Sequence, residues 1–453
     1  MKLSKITALL LAVVIVATLC CACGGGETAT SSDENTSASP SGEVTSVGDN
    51  TGTVATGDGD EINFTGYVVV KPRYASSFAV QTEVDNLIKT IKEKLGVDVV
   101  TVKDNTEAIA GEIILSGAAR DGVTEISDLE SYSVSVKNGK IYLLGGTDRA
   151  TMAAVNVFTQ MIASGEKIVN GLSKTGTYAE AEKSFSTSAM KRVWGDDFSG
   201  NDIDRKLWST HIMNAADITS ELSERTYKVA NGEIELYSFT ATKEDLAKDP
   251  KKKYYTPLFL CTNGVMEFQY GIFEIKSVVP FYYGNSGAFW FCATEHTANG
   301  YRSEIDMVEL LGSENNVVSN LHTWGTGHTS FDNQIKREDR SHTFESEPEQ
   351  LRQEYHSYFL NWTEDFIDFG TDSEVYYHAD LTAEGASQFA DPSKLDLDAF
   401  RLPVYIILSE FLYTPERKLG WGLNGDEDDF FYTMKIDHCD IYQPEYYGQI
   451  IYK

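Results

Sequence analysis

Three carboxylates stand close together in the segment SEIDMVELLG, residues 303–312. They belong to Glu304, Asp306 and Glu309, and the residues that alternate with them are mostly apolar. On a β-strand, successive side chains point to opposite faces, so Glu304 and Asp306 share one face. In unbroken alternation Glu309 would join the apolar face, where an unpaired carboxylate is costly. We therefore expect a one-residue bulge between Asp306 and Glu309, which returns Glu309 to the acidic face.

A row of three carboxylates on one strand face suits the cleavage of a glycosidic bond. One carboxylate can act as the nucleophile and another as the acid/base, at the roughly 5–5.5 Å separation of a retaining pair. The shorter Asp306 leaves room between the two glutamates, and crowding of like charges raises at least one pKa. Two other interpretations remain open at this point: an ordinary polar strand face and a cation site made of carboxylates.

The part of the chain that contains this strand has the texture of a β protein. From about residue 190 onward, short alternating segments such as GEIELYSF, SGAFWFCA and LPVYIILSEFL follow one another between turn residues. Many short strands in about 250 residues indicate a large antiparallel sandwich or barrel.

Residues 61–185 are predicted to form a small α+β domain ahead of it. GYVVVK and GEIILSG have the composition of strands, and YSVSVKNGKIYLLGG alternates around Asn138-Gly139 as a β-hairpin does. In FAVQTEVDNLIKTIKEKLG apolar residues recur every three or four positions, and Gly96 provides a stop, so this segment is predicted to be a helix. TDRATMAAVNVFTQMI predicts a second helix. We interpret this domain as a spacer or docking module.

The N-terminus has the pattern of an export signal. Lys2 and Lys5 precede a short apolar run, and LCCACGGG follows it. Cys23, before three glycines, resembles the lipidated cysteine of bacterial lipoproteins, so residues 1–23 are predicted to be a lipoprotein signal peptide. Residues 24–60 contain almost no large apolar side chain and are predicted to be a flexible Ser/Thr/Gly linker. The predicted location is the bacterial cell surface, with the protein lipid-anchored to the membrane.

The composition excludes some classes of partner. The chain of 453 residues carries 68 acidic and 38 basic residues, a net charge of −30. Nucleic acid binding needs a basic footprint, so none is expected. Outside the leader the cysteines are Cys261, Cys292 and Cys439, with no CxxC spacing, and they are predicted to be buried free thiols rather than zinc ligands.

The ordered motifs of the second half resemble those of glycoside hydrolase family 16, the laminarinase and agarase group. The resemblance spans about residues 190–446 and is carried, in chain order, by WGDDFSGNDIDRKLW, YGIFEIKSVVP, GAFWF, EIDMVELLG, NLHTWG, YHSYFLNWTEDFIDFG and MKIDHCDIYQ. It implies a mainly β fold, a concanavalin-like β-jelly-roll sandwich preceded by the α+β domain.

The resemblance also assigns roles to the acidic row. Glu304 matches the nucleophile, Asp306 the residue that holds and tunes it, and Glu309 the general acid and then base. The implied activity is that of a retaining endo-acting hydrolase of β-linked polysaccharide, with β-glucan as the default substrate. Two alternatives are kept: a non-catalytic glycan-binding surface lipoprotein, and a transglycosylase on the same fold.

Six further residues are predicted to contact the substrate. Aromatic rings stack on sugars, and polar groups near the acids can bind hydroxyls. The predicted set is His322, Trp324, Trp290, Tyr301, Arg302 and Glu410. Many laminarinases carry Trp-Pro where this chain has Asn285-Ser286-Gly287, so one stacking platform is absent. No metal ligand or cofactor is predicted, although a structural calcium, frequent in the family, is left open. The protein is predicted to be a monomer.

Overall fold

The structure is a computed structural model of the chain. It describes residues 57–209, 225–250, 254–257, 259–326, 333–336, 340–410 and 430–453. The predicted signal peptide with its Cys23, and all but the last four residues of the predicted linker, lie outside the described residues. Where the chain is described, none of its helices is long and apolar enough to cross a membrane.

The first folded part is an α+β domain around one six-stranded sheet. Its elements are β1 (Val68–Lys71), α1 (Phe78–Leu95), β2 (Val100–Lys103), β3 (Glu112–Leu115), β4 (Ser131–Lys137), β5 (Lys140–Gly145), α2 (Asp148–Ala163), β6 (Ser173–Thr177), α3 (Tyr178–Ala181) and a 3₁₀ turn, Glu182–Ser184. The strand order is β2-β1-β3-β5-β4-β6. β1 runs parallel to β2 and β3, β3 runs parallel to β5, and β4 is antiparallel to its neighbours.

Local sequence explains the turns of this domain. Asn138 and Gly139 both have positive φ, 52° and 75°, as a tight hairpin between β4 and β5 requires. Ser77 caps α1 by accepting a hydrogen bond from the Val80 N–H, and Gly96 ends it in the left-handed conformation. The predicted hairpin and both predicted helices are therefore confirmed.

The second folded part consists almost entirely of strands. They are β7 (Lys191–Asp196), β8 (Tyr227–Ala230), β9 (Glu233–Thr240), β10 (Tyr254–Tyr255), β11 (Leu260–Cys261), β12 (Met266–Gln269), β13 (Gly271–Val278), β14 (Ala288–Ala293), β15 (Tyr301–Glu309), β16 (Asn316–Gly325), β17 (Asn333–Gln334), β18 (Ser341–Thr343), β19 (His356–Trp362), β20 (Phe366–Thr371), β21 (Glu374–Asp380), β22 (Val404–Ser409), β23 (Phe431–Gln443) and β24 (Gln449–Tyr452). Short helices α4 (Lys243–Lys248) and α5 (Pro348–Leu351) and 3₁₀ turns at Glu384–Gln388, Pro392–Lys394 and Leu397–Arg401 connect them.

These strands form two antiparallel sheets packed face to face. The docking sheet has the order β10-β9-β23-β13-β19-β20-β21, with β7 on β23 and β8 on β9. The acidic sheet has the order β17-β16-β15-β14-β22-β12-β24, with β11 on β22 and β18 on β16. The prediction of a mainly β jelly-roll sandwich preceded by a small α+β domain is confirmed.

Aromatic residues fill the space between the two sheets. Phe273 of the docking sheet meets Phe291 of the acidic sheet edge to face, with ring centroids 5.0 Å apart. Phe268 packs in the same way on Trp362, at 5.7 Å. Buried rings of this size contribute the largest share of the burial free energy of such a core. The three cysteines outside the leader are buried free thiols, as predicted.

The α+β domain packs on the docking sheet through a buried carboxylate. Glu274 on β13 accepts hydrogen bonds from the Ser77 hydroxyl at 2.8 Å, the Phe78 N–H at 2.7 Å and the Ser357 hydroxyl at 2.7 Å. The sandwich therefore supplies the negative charge at the N-terminus of α1, which the helix dipole favours. Beside it, Phe78 stacks on Phe359 with centroids 4.0 Å apart.

Replacing Glu274 with alanine should destabilise the whole chain. Two hydroxyls and the first amides of α1 would lose their acceptor inside the interface, at a cost of about 2 kcal/mol or more in the free energy of unfolding. Denaturant unfolding, followed by tryptophan fluorescence, measures it. The matched control is Glu93→Ala on the exposed face of the same helix, for which we expect no change beyond about 0.5 kcal/mol. Equal effects of the two substitutions would contradict the role given to Glu274.

Candidate active site

A bulge in β15 brings the three carboxylates to one face of the acidic sheet. Glu304 pairs with His322 and Asp306 with Asn320 across to β16, and the register then shifts before Glu309. On the other side, the pairing with β14 shifts at the same point. Two consecutive apolar residues, 307 and 308, both join the core between the sheets. The predicted bulge is confirmed, and Glu309 follows Glu304 and Asp306 on the side away from that core.

The environment of the row favours protonated carboxyls. Glu304 and Asp306 are buried, and Glu309 is half-buried. Burial raises the pKa of Glu304 to about 8, and the neighbouring Asp306 charge raises it further. Burial likewise raises the pKa of Asp306 to about 7 and that of Glu309 to about 8, in the latter case with Asp306 adding to the effect. Near neutral pH the row therefore holds protons that it can transfer.

His322 lies beside the middle carboxylate. Its Nε2 is 3.1 Å from Asp306 Oδ2 and 2.8 Å from the Asn320 side-chain nitrogen. The Asn320 carbonyl oxygen accepts from the Leu321 N–H, which orients the amide so that its NH₂ donates to the ring. Burial lowers the pKa of His322, so the ring is neutral and its Nε2 accepts. A protonated Asp306 can then share its proton with this imidazole.

A cysteine that the sequence analysis did not select touches Glu304. The Cys292 thiol lies 3.8 Å from Glu304 Oε2, within the range of a weak S–H···O hydrogen bond. Burial and the Glu304 charge raise the thiol pKa well above its usual value, so the sulfur keeps its proton and donates it. The strand pairing of β14 with β15 places the two residues opposite each other. Only that register could have revealed the contact.

Trp290, Trp324 and Arg302 lie on the same face as the acids. Trp290 is opposite Asp306 in the ladder, and its indole N–H donates to the Ser409 hydroxyl at 3.2 Å. Arg302 and Trp324 are opposite each other, one pair further along from the Glu304 and His322 pair. The structure therefore brings these three predicted substrate contacts, together with His322, to the side of the carboxylates.

Tyr301 and Glu410 are placed differently. Tyr301 is one position out of phase with Arg302, so strand alternation puts it on the opposite face. Glu410 is fully buried, and both its carboxylate oxygens accept from the Asn285 side-chain amide, at 2.7 and 2.8 Å. Asn285 in turn accepts from the Gly287 N–H at 2.7 Å. The segment that replaces the Trp-Pro of laminarinases thus anchors a buried carboxylate, and Glu410 is not brought to the acidic row.

The site also has the donor atoms for a cation. One ligand atom each from Glu304, Asp306 and His322 lies within 4.8 Å of the others. A divalent ion would need these carboxyls deprotonated, against the raised pKa values. The same three groups serve better as a proton-sharing cluster, and no cofactor was predicted here.

Comparison with known proteins identifies the family of the sandwich. The family model described as "Glycosyl hydrolases family 16" matches residues 225–398. Among curated relatives, Glucan endo-1,3-beta-glucosidase A1 of Niallia circulans is 21% identical over 274 residues, 57% of this chain and 38% of its own. Beta-glucanase of Rhodothermus marinus is 30% identical over 127 residues, 27% of this chain and 42% of its own. The chain thus spans about two-fifths of the length of these relatives.

Solved structures give a similar result. The laminarinase catalytic domain from Thermotoga maritima is 19% identical, with 56% of this chain and 98% of that chain covered and a TM-score of 0.41. Endo-beta-1,3-glucanase from Pyrococcus furiosus is 18% identical, with 58% and 96% covered and a TM-score of 0.42. Through its matched segment the chain belongs to glycosyl hydrolase family 16, so its sandwich is a glycosidase domain.

The raised pKa values predict how stability depends on pH. Carboxyls titrate near pH 4 when unfolded and near 7 to 8 in this site, so between those values the folded chain binds more protons than the unfolded chain. The free energy of unfolding should therefore fall as pH rises from 5 to 8. Asp306→Asn should reduce that fall by about 2 kcal/mol. Urea unfolding at the two pH values measures it, with Glu93→Gln as control; an unchanged fall in Asp306→Asn would contradict the prediction.

Proposed function

We propose that the chain is a retaining, endo-acting hydrolase of β-linked polysaccharide, with β-glucan as the default substrate. One observation carries the proposal: the bulge in β15 puts Glu304, Asp306 and Glu309 in a row on the exposed side of a sheet, in a segment that matches glycosyl hydrolase family 16. The relatives whose names mention endo-1,3-β-glucosidase and β-glucanase support the choice of substrate.

In the first step Glu304 acts as the nucleophile. One of its carboxylate oxygens forms a bond to the anomeric carbon while the glycosidic C–O bond breaks. Glu309, kept protonated by its raised pKa, gives its proton to the departing oxygen. The S–H of Cys292 donates to Glu304 and so favours the charged form that attacks.

In the second step water replaces the enzyme. Glu309, now a carboxylate, takes a proton from water as the water oxygen bonds to the anomeric carbon, and the bond to Glu304 breaks with its electron pair returning to the carboxylate. Two displacements on one carbon retain its configuration. Asp306, paired with the neutral His322, holds a proton between the two glutamates and limits the charge in the row as their protonation states exchange.

Side chains around the row would bind the sugar rings. Trp324 and Trp290 offer aromatic surfaces on the acidic side, and Arg302 offers a fork of N–H donors. Asn285 and its neighbours stand in place of a further platform. A substrate with a side-chain decoration, or a linkage other than β-1,3, would fit such a change in the cleft wall.

The proposal extends to the rest of the chain. Residues 1–23 would direct export, with Cys23 carrying the lipid, and residues 24–60 would tether the folded parts to the bacterial cell surface. Residues 61–185 and 190–446 would form the α+β and hydrolase domains of a monomer. The polysaccharide is the one partner proposed besides the membrane. No cofactor takes part in the proposed chemistry.

Glu304→Gln and Glu309→Gln should each reduce hydrolysis at least a hundredfold, because each removes one half of the displacement chemistry. The assay incubates the chain with β-1,3-, β-1,4- and mixed-linkage glucans, galactans and xyloglucan, and counts new reducing ends. NMR of the first product should show the β-anomer. Undiminished cleavage by Glu304→Gln would refute the assignment of the nucleophile.

Two other results of the same assay would identify the alternatives. Binding of glycans without any release of reducing ends would indicate a binding lipoprotein. Longer products formed from short substrates would indicate a transglycosylase. Glu93→Gln, far from the row, serves as the activity control.

Cys292→Ala should move the acidic limb of the pH profile of kcat/KM to higher pH. Without the S–H donor, the charged form of Glu304 loses a hydrogen bond, so its pKa rises and activity at low pH falls severalfold. Cys439→Ala removes an equally buried thiol from the docking sheet and should leave the profile in place. Identical profiles for both variants would show that the thiol only fills space.

A further inference from the structure

A cavity of about 610 Å³ lies between the α+β domain and the docking sheet. We call it the interdomain cavity. Lys71, Ser116 and Thr147 line it from the α+β domain, and Lys276, Asp437 and His438 line it from the sandwich. None of the three acids of β15 is among its lining residues. Its volume falls within the range of small-molecule sites.

The topology of the α+β sheet places this cavity where such sheets bind ligands. From β1 the chain passes through α1 to β2 on one side, whereas β3 lies on the other side of β1. Parallel strands that diverge in this way leave a crevice outside their carboxyl ends, and ligands of α/β sheets bind in that crevice. The residues that follow β1, β3 and β5 all line the cavity: Pro72, Ser116 and Gly146.

The helix terminus that could bind an anion here is already occupied. The N-terminus of α1 opens toward the crevice, but the carboxylate of Glu274 accepts its first N–H and its capping hydroxyl. A phosphate or sulfate would have to displace a buried, fully hydrogen-bonded side chain. The anion-binding capacity of this edge of the sheet is thus used to hold the two domains together.

The remaining charges in the cavity nearly balance. Four acidic residues and three basic residues line it: Glu125, Asp148, Asp197 and Asp437, with Lys71, Lys276 and His438. His438 lies between two of the acids, with Nδ1 2.5 Å from Asp437 and Nε2 3.3 Å from Asp148. Burial opposes a charged ring, but the hydrogen bonds to these acids outweigh it and raise the pKa of His438. A near-neutral wall favours an uncharged ligand.

Hydroxyls and carboxylates supply most of the polar surface. Ser116 accepts from the Gly145 N–H at 2.7 Å and bonds to the Thr151 hydroxyl at 2.9 Å, so the hydroxyl positions are fixed by the fold. Fixed hydroxyl and carboxylate oxygens match a ligand that presents many O–H donors and acceptors around an apolar ring. Val123 and Leu115 add apolar surface to the same wall.

We propose that the interdomain cavity is a second saccharide site, which binds one or a few neutral sugar residues apart from the acidic row. The identity of the sugar, a fragment of the glycan cleaved on the acidic sheet, rests on the proposed function; the existence of the site does not. The α+β domain is then a glycan-binding partner of the sandwich rather than a spacer.

The test is isothermal titration of the full chain carrying Glu304→Gln, so that ligands are not consumed. The probes are glucose trisaccharides with β-1,3 or β-1,4 linkages. We expect two sites per chain. Thr124→Trp, which puts an indole into the cavity from an exposed loop position, should abolish one site or weaken it at least tenfold. Ala163→Trp, at the far end of α2, is the matched control and should leave both sites.

Each other outcome separates the hypotheses. A single site untouched by Thr124→Trp overturns the cavity proposal and leaves the hydrolase intact. A single site removed by Thr124→Trp, in a chain whose wild type cleaves no glycan, refutes the proposed function but supports the cavity. Binding of inorganic phosphate that Thr124→Trp removes, without saccharide binding, overturns the neutral-ligand assignment. Thermal unfolding checks that Thr124→Trp folds; if it does not, Glu125→Trp from the same loop replaces it.

Discussion

The arrangement of the sandwich depends on one constraint: a carboxylate cannot lie between two apolar sheets without a partner. In β15 the sequence alternates up to Asp306 and then places Glu309 out of phase. Keeping perfect register would bury Glu309 among rings, at a cost of several kcal/mol. One extra residue in the strand is cheaper, and the core accepts it because both Met307 and Val308 are apolar. The bulge that solves a packing problem is what assembles the acidic row.

The row itself is held in an environment that opposes charge. Burial and mutual repulsion keep the three carboxyls short of full ionisation, and the nearby groups are neutral hydrogen-bonding partners: a thiol at Glu304 and an unprotonated imidazole at Asp306. A buried Arg340 contributes the nearest positive field to Asp306 and Glu309. This balance maintains a reservoir of protons beside a nucleophile, which acid/base chemistry requires near neutral pH. It lowers stability at the same pH, so function and folding oppose each other here.

Sequence alone predicted the parts of this structure that follow from local periodicity. Alternation gave the strands and the bulge, the spacing of apolar residues gave α1 and α2, and Asn138-Gly139 gave the hairpin. Contacts that depend on which strands become neighbours were missed. Cys292 meets Glu304 because β14 pairs with β15, and Glu410 turns inward because Asn285 is available to bind it. No local pattern encodes these pairings, and Tyr301 was selected by proximity in sequence although alternation places it on the other face.

The contact between the two domains was hidden for the same reason, and it changes the interpretation of the first domain. Glu274 is almost two hundred residues from the helix that it caps, yet that carboxylate serves α1 as an N-terminal anion would. Arg149 on α2 adds a bidentate pair with Asp197 at 2.7 and 2.9 Å, and Ile272 and Tyr442 of the docking sheet join the core of the α+β domain. A spacer needs none of these contacts. Because the interface is partly apolar and its charges are paired, the two domains hold a fixed relation. A ligand that binds between them therefore meets both walls already in place, without having to order them.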